Sequence, residues 1–225
     1  MEPSSTRLNK HIALQLGVSR READNLISAN RVSINGAPAR LGQHITDIDA
    51  IHVNHKLLEG TAAFTYIALH KPINYVCSRK QQGDTLTIYS LLPENLHHLK
   101  PVGRLDKDSS GIILLTNDGD FAHTMTHPKF SKIKIYEVEL SKPLEPLHQQ
   151  MISDHGISLD DGTSKFMVEK LEKGYKITMS EGRNRQIRRT FTALGYTVTK
   201  LHRIQFGSYN IGELAPGMFQ PITKS

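Results

Sequence analysis

Gly103-Arg104-Leu105-Asp106 is followed by Ser109, Ser110 and Gly111 and then by the apolar run Ile112 to Leu115, so an acid stands in a loop just ahead of a core strand. A loop held by a rigid strand is where reactive groups sit, although the same residues also spell an ordinary turn with an exposed Asp. A second pattern, Lys132-Ile133-Lys134-Ile135-Tyr136, alternates two lysines and a tyrosine with isoleucines and sends the two kinds to opposite faces of a strand. A tyrosine flanked by lysines can stack on a base while the cations meet phosphate; the bland reading is the wet face of a strand. The third pattern is the densest. Arg183 to Arg203 holds six Lys or Arg residues and no Asp or Glu, with Arg185, Arg188 and Arg189 three and four apart on one helical face. Such clustering costs repulsion unless an anion offsets it, and a phosphate-rich partner supplies one; a chance solvated stripe is the alternative.

Other chemistries lack their residues. His123 and His127 are four apart, as helical metal ligands can be, but no third ligand or catalytic Glu accompanies them and Pro128 ends the helix, so no metal is expected. Neither form of glycine-rich nucleotide loop is present and there is no serine elbow, which argues against the kinases, dehydrogenases and hydrolases built on those motifs. Nothing requires a cofactor. The single cysteine, Cys77, excludes an internal disulfide and suits a small buried apolar role. Lys plus Arg number 28 against 22 Asp plus Glu, a net charge of +6 that favours a polyanionic partner. Met1 to Thr6 is polar and no stretch approaches the ~18 apolar residues of a membrane span. A cytoplasmic protein without membrane contact is expected, and the absence of coiled-coil heptads points to a monomer.

These groups need elements to hold them. Leu8, Ile12, Ala13 and Leu16 follow helical spacing, with Ser5 and Thr6 as capping candidates and Gly17 as the stop. Ser19-Arg20-Arg21-Glu22 has the capping-box form of a second helix, continued by Ala23, Leu26 and Ile27. Arg31 to Ile34 runs as a strand into the turn dipeptide Asn35-Gly36, and Ile48 to Val53 supplies another strand. A polar stretch, His55 to Thr61, reads as a boundary. Beyond it, Phe64 to Leu69, Gly111 to Leu115, Ile133 to Leu140 and Tyr175 to Met179 read as strands, and Asp120 to Thr126, Pro146 to Ser153 and Asn184 to Leu194 as helices. Strands in succession without regular helical crossovers indicate a mixed, largely antiparallel α+β domain. The domains are placed at 5–58 and 62–225.

In this order the motifs resemble the RsuA/RluB/RluE/RluF family of pseudouridine synthases over nearly the whole chain. Thr6-Arg7-Leu8-Asn9-Lys10, Ser19-Arg20-Arg21-Glu22-Ala23-Asp24 and Arg31-Val32-Ser33-Ile34-Asn35-Gly36 are similar to that family's small alpha-L RNA-binding module. Gly103-Arg104-Leu105-Asp106 through Thr116-Asn117-Asp118-Gly119 is similar to its catalytic loop and the strand behind it. The resemblance makes Asp106 the catalytic carboxylate, Tyr136 the base-stacking tyrosine, and Glu181 to Arg189 the basic motif. Within it Arg188 is favoured as the partner of Asp106, with Arg183 and Arg185 close by. Leu201 is similar to the apolar residue that packs near the target base. Arg104, Lys134, Arg183, Arg185 and Arg189 are implied to bind substrate, as are Arg7, Lys10, Arg20 and Arg21 in the N-terminal module.

The implied reaction isomerises a uridine of ribosomal RNA, free or in a ribosome precursor particle, and the Arg-Gln-Ile-Arg-Arg packing leans to the large-subunit branch. It breaks the bond from ribose to base nitrogen, so a carboxylate must act at the anomeric carbon or remove the neighbouring ribose proton. The base must first leave its stack, for which Tyr136 offers a replacement surface. Two rivals stand beside this reading. A noncatalytic RNA-binding or ribosome-assembly protein leaves Asp106, Tyr136 and the arginines without a purpose, and a helix-turn-helix DNA binder leaves the large second domain without a regulator's ligand site.

Overall fold

The computed structural model describes residues 5–59, 63–79 and 83–225. Met1 to Ser4 and the end of the polar boundary stretch, residues 60 and 61, lie outside the described residues, as does residue 62. The chain divides into two compact units, Met1–Thr65 and Tyr66–Ser225. Among the described residues no helix is long and apolar enough to cross a membrane.

In the first unit the expected caps Ser5 and Thr6 do not cap. Thr6–Arg7 is instead a two-residue strand, β1, and α1 (Leu8–Leu16) follows with no side-chain cap, ending at Gly17 in the left-handed region. The capping box of α2 (Arg20–Ser28) is present: Glu22 N–H donates to Ser19 Oγ at 3.1 Å and Ser19 N–H to Glu22 Oε2 at 2.6 Å. β2 (Val32–Ile34) turns through Asn35 and Gly36, both at positive φ, into β3 (Ala37–Pro38), as a tight hairpin requires. β4 (His44–Ile45) pairs with β1. β5 (Ile51–Val53) pairs with both β2 and β6 (Lys56–Leu57). The strand expected from Ile48 starts three residues later because Asp49 accepts from Thr46 N–H and Oγ1, closing a turn that leaves Ile48 92% exposed. Leu8, Ile12, Ala23, Ile27, Val32 and Ile51 meet in this unit's core.

The second unit is built on one mixed sheet of nine strands. Its strands are β7 (Tyr66–Lys71), β8 (Lys100–Val102), β9 (Ser110–Thr116), β10 (Lys134–Leu140), β13 (Met167–Lys170), β14 (Tyr175–Met179), β15 (Val198–Phe206), β16 (Tyr209–Asn210) and β17 (Phe219–Pro221). A separate hairpin, β11 (Ile157–Leu159) and β12 (Gly162–Ser164), stands apart from it. The main path runs β13-β14-β10-β15-β9-β7-β17, with β8 beside β9 and β16 beside β15. Every pairing is antiparallel except β15 with β9 at the centre. The run Ile112 to Leu115 is uninterrupted because both faces of β9 are covered. Ile113 and Leu115 enter one core with Val138, Ile177 and Phe191, whereas Ile112 and Leu114 enter another with Phe121 and Met125.

The helices are α3 (Gly119–Thr126), capped by Asp118, then α4 (Pro146–Gln150) and α5 (Gln186–Ala193). A π-helical turn, Met151–His155, extends α4. α5 begins later than Asn184 because Arg185, at φ 46°, is in the left-handed region and cannot belong to it.

The close approach of β9 to β15 depends on Gly111, which pairs with Arg203 at φ 115°. A Cβ there would lie 2.2 Å from the Arg203 carbonyl oxygen, against backbone that cannot yield. Gly111→Ala is expected to cost about 2–4 kcal/mol, read as a lower urea midpoint at unchanged slope. A shift within about 0.5 kcal/mol, the usual range for an inconsequential surface change, would contradict the close approach.

Candidate active site

The loop from Gly103 to Ser109 joins β8 to β9 and is held almost residue by residue. Leu105 N–H donates to Cys77 Sγ at 3.4 Å, so the lone cysteine is a loop anchor as well as a half-buried packing residue. Asn74 N–H donates to the Lys107 carbonyl at 2.7 Å and Ser109 N–H to the Asp106 carbonyl at 3.1 Å. The strongest anchor is Lys71, fully buried at the end of β7. Its ammonium donates to the carbonyls of Pro72 at 3.0 Å, Asp106 at 2.9 Å and Ser109 at 2.6 Å, which uses all three of its protons. Burial pushes its pKa down to about 8, against the pull of the Cys77, Asp106 and Asp108 groups.

The Asp106 carboxylate faces a cleft of about 530 Å³ whose walls come from the loop, β10, β15 and the Ser180–Ile187 segment. Its ion-pair partner is Arg185, with Nη1 at 3.5 Å from Oδ2, and not Arg188 as expected. The reason is geometric. Arg185, kinked out of the helix, reaches the loop and also grips Asp108 at 3.0 and 2.8 Å. Arg188 lies in the first turn of α5, where Nη2 donates to the Asp108 carbonyl at 2.8 Å and Nη1 to the Val198 carbonyl at 2.9 Å. Its guanidinium therefore ties loop, helix and β15 together, and burial lowers its pKa. Asp108 is held below the usual carboxylate range, chiefly by the Arg185 hydrogen bond.

The repulsion within the basic motif is offset by the protein's own carboxylates, which the sequence reading missed because both lie far from the motif. Asp108 serves Arg185 and Arg188. Asp161 serves Arg183 at 2.9 Å and Arg189 at 2.7 Å, and Arg183 also donates to the carbonyls of Gly162 and Thr163. Arg183 still lines the cleft, whereas Arg189 does not. Nothing in the local pattern links Asp161 to a helix more than twenty residues on.

Tyr136 is 7% exposed and lines the cleft with Lys134 and Leu201. The lysine–tyrosine face of β10 is thus the inward one and not the wet one. Lys134 is half-buried, donating to the carbonyls of Lys132 and Ser180, so it is no surface grip for the RNA backbone. Arg104 is exposed at the rim. Arg7, Arg20 and Arg21 are exposed and Lys10 half-buried on the first unit. Among the described residues no group of three or more His, Cys, Asp or Glu side chains could hold a metal. Arg203, counted earlier only as one charge in a run, is buried on the cleft wall.

Residues 65–193 match the family model described as RNA pseudouridylate synthase. Ribosomal small subunit pseudouridine synthase A of Pasteurella multocida is 34% identical over 96% of each chain. Ribosomal large subunit pseudouridine synthase B of Bacillus subtilis is 34% identical, covering 96% of this chain and 92% of that one. A solved structure described as a pseudouridylate synthase superimposes with a TM-score of 0.69 at 34% identity over 96% of each chain. The family model spans more than half of the sequence and these relatives nearly all of it, so the chain belongs to the RsuA/RluB/RluF family of RNA pseudouridine synthases.

Proposed function

We propose that this protein isomerises a uridine of ribosomal RNA to pseudouridine, with Asp106 acting at the ribose of a nucleotide turned out of its stack. The observation that carries the reading is one cleft in which an anchored carboxylate, Asp106, stands with a buried tyrosine, Tyr136, and an apolar wall, Leu201. The relatives bear small-subunit and large-subunit names at the same 34% identity, so ribosomal RNA is the shared class and the lean to the large subunit gains nothing from them.

The division of labour follows from burial. Tyr136 stacks on the base and its phenol is placed for proton transfer at the ring carbon that rejoins the ribose. Arg185 orients the Asp106 carboxylate, and Arg188 is a positioning residue acting through Asp108. Arg104 and the outer edge of Arg185 meet phosphate near the rim. The unit at 5–58 is an alpha-L RNA-binding module presenting Arg7, Lys10, Arg20 and Arg21, and 62–225 is the catalytic domain.

Release of tritium from ribosomal transcripts labelled at uracil C5 tests this directly. Wild type is expected to release it, and Asp106→Asn to lose roughly 10³-fold or more of the rate with RNA binding intact. RNA binding without release by wild type, on small-subunit and large-subunit RNA alike, would favour the noncatalytic reading.

The Asp108 ion pairs make a separate prediction about acid stability. Its pKa is lower folded than the ordinary value of 3.8, so its contribution is complete above that value and is lost as pH falls through the folded pKa. Asp108→Asn should show a thermal midpoint that declines less steeply than wild type as the pH drops below about 4, the ordinary aspartate range. Parallel curves for the two proteins would remove the Arg185 pair from the account.

A further inference from the structure

Arg203 differs from every other cation of the Arg183–Arg203 run in having no carboxylate within ion-pair distance among the described residues, and Lys134 on the neighbouring strand β10 has none either. Arg203 is 3% exposed. Its Nε donates to the Ile112 carbonyl at 2.9 Å, while Nη2 is buried without a hydrogen-bond partner. Lys134 gives two protons to carbonyls and keeps a third. The two cations share one aromatic ring, with the Arg203 guanidinium carbon 4.8 Å and Lys134 Nζ 5.5 Å from the centre of Phe206. All three residues line the cleft. Their mutual repulsion and burial push Lys134 down to about 8, burial being the larger cause. A buried charge with an unused donor is costly unless an anion arrives to meet it.

The position of Arg203 says which anion. It lies two residues beyond Leu201, hence on the same side of β15, and directly across from Tyr136 on β10. A register shift between Ile135 and Tyr136 leaves Ile204 without a partner and brings Lys134 opposite Phe206, so a bulge aims this part of the sheet. A backbone phosphate travels along the exposed rim, whereas the part of a flipped nucleotide that reaches between Tyr136 and Leu201 is the base.

We propose that Arg203, with Lys134 beside it, contacts the oxygens of the uracil ring and carries the negative charge that the base acquires while it is detached from the ribose. This rests on the isomerase reading. When the bond from C1′ to N1 breaks, its electron pair stays with the uracil and spreads over N1, O2 and O4, while Asp106 either bonds to C1′ or takes the neighbouring ribose proton. The bond from C5 to C1′ then forms as the Asp106–C1′ bond breaks or as Asp106 returns the proton to the ribose; C5 loses its proton and N1 gains one, so atoms and charge balance. Fixed donors aimed at developing charge in a dry site act in this way in other reactions.

The test compares two RNA substrates on one protein sample, the target uridine being either unsubstituted or fluorinated at C5. Fluorine withdraws electrons and stabilises the detached base by itself. Under single-turnover, saturating conditions Arg203→Gln should convert the uridine RNA about 100-fold more slowly than wild type. Loss of 5-fluorouridine from the digested RNA should slow only about 10-fold, because part of the charge is already stabilised. Lys134→Met should shift the same ratio in the same direction. The ratio cancels any misfolded fraction, and RNA affinity is measured alongside. An equal loss on both substrates, or weaker RNA binding with an unchanged saturated rate, would overturn the proposal and make Arg203 a structural or phosphate-holding residue. No pseudouridine from wild type would overturn the isomerase reading and this one with it; normal wild-type activity beside an unaffected Arg203→Gln would overturn this one alone.

Discussion

The Lys71 ammonium, dry and bonded to three main-chain carbonyls, is the interaction on which the arrangement of the cleft depends. Two of those carbonyls belong to Asp106 and Ser109, so the loop is pinned at its reactive residue and at its exit into β9. Without a donor there, each carbonyl would be an unsatisfied buried acceptor. A charged donor is also about twice as strong as a neutral one. The loop's stiffness is therefore electrostatic as much as steric, and the Asp106 side chain inherits it.

Around that anchor the other charges are arranged in pairs of unlike kind. Asp108 and Asp161 each satisfy two arginines of the basic motif, which turns a repulsive cluster into a clamp between α5, the loop and the β11–β12 hairpin. The clamp leaves the deep cations Arg203 and Lys134 as the electropositive remainder inside the cleft. A surface charge count of the same residues gives the opposite impression, with every arginine equally free.

What could be read from the sequence was what is local. The capping box at Ser19 and Glu22, the Asn35-Gly36 turn, the strand at Tyr175–Met179 and the loop ahead of the Ile112–Leu115 run all rest on neighbours within a few residues, and the structure contains each of them. The resemblance supplied Asp106 and Tyr136 together. Lys71 was invisible because a lysine at the end of a strand reads as a solvent-facing residue, and nothing near it mentions a loop thirty-five residues away. The Arg185 pairing was missed because Arg188 was favoured from the family resemblance, which carries no sign of the left-handed turn that swings Arg185 toward Asp106.

The position of β15 governs when the cleft can exist at all. It is hydrogen-bonded between β10 and β9 in the middle of the sheet, yet it is among the last strands of the chain, and ninety-one residues separate Arg203 from the Ile112 carbonyl that it meets. Earlier strands can form hairpins as they emerge, but they cannot close around a central strand that has not yet been made. Non-local parallel pairing of this kind is slow, since loop-closure entropy must be overcome before any contact rewards it. During synthesis the N-terminal unit can complete itself first, while the catalytic unit waits for its C-terminal third and then acquires its core and its chemistry in one cooperative step.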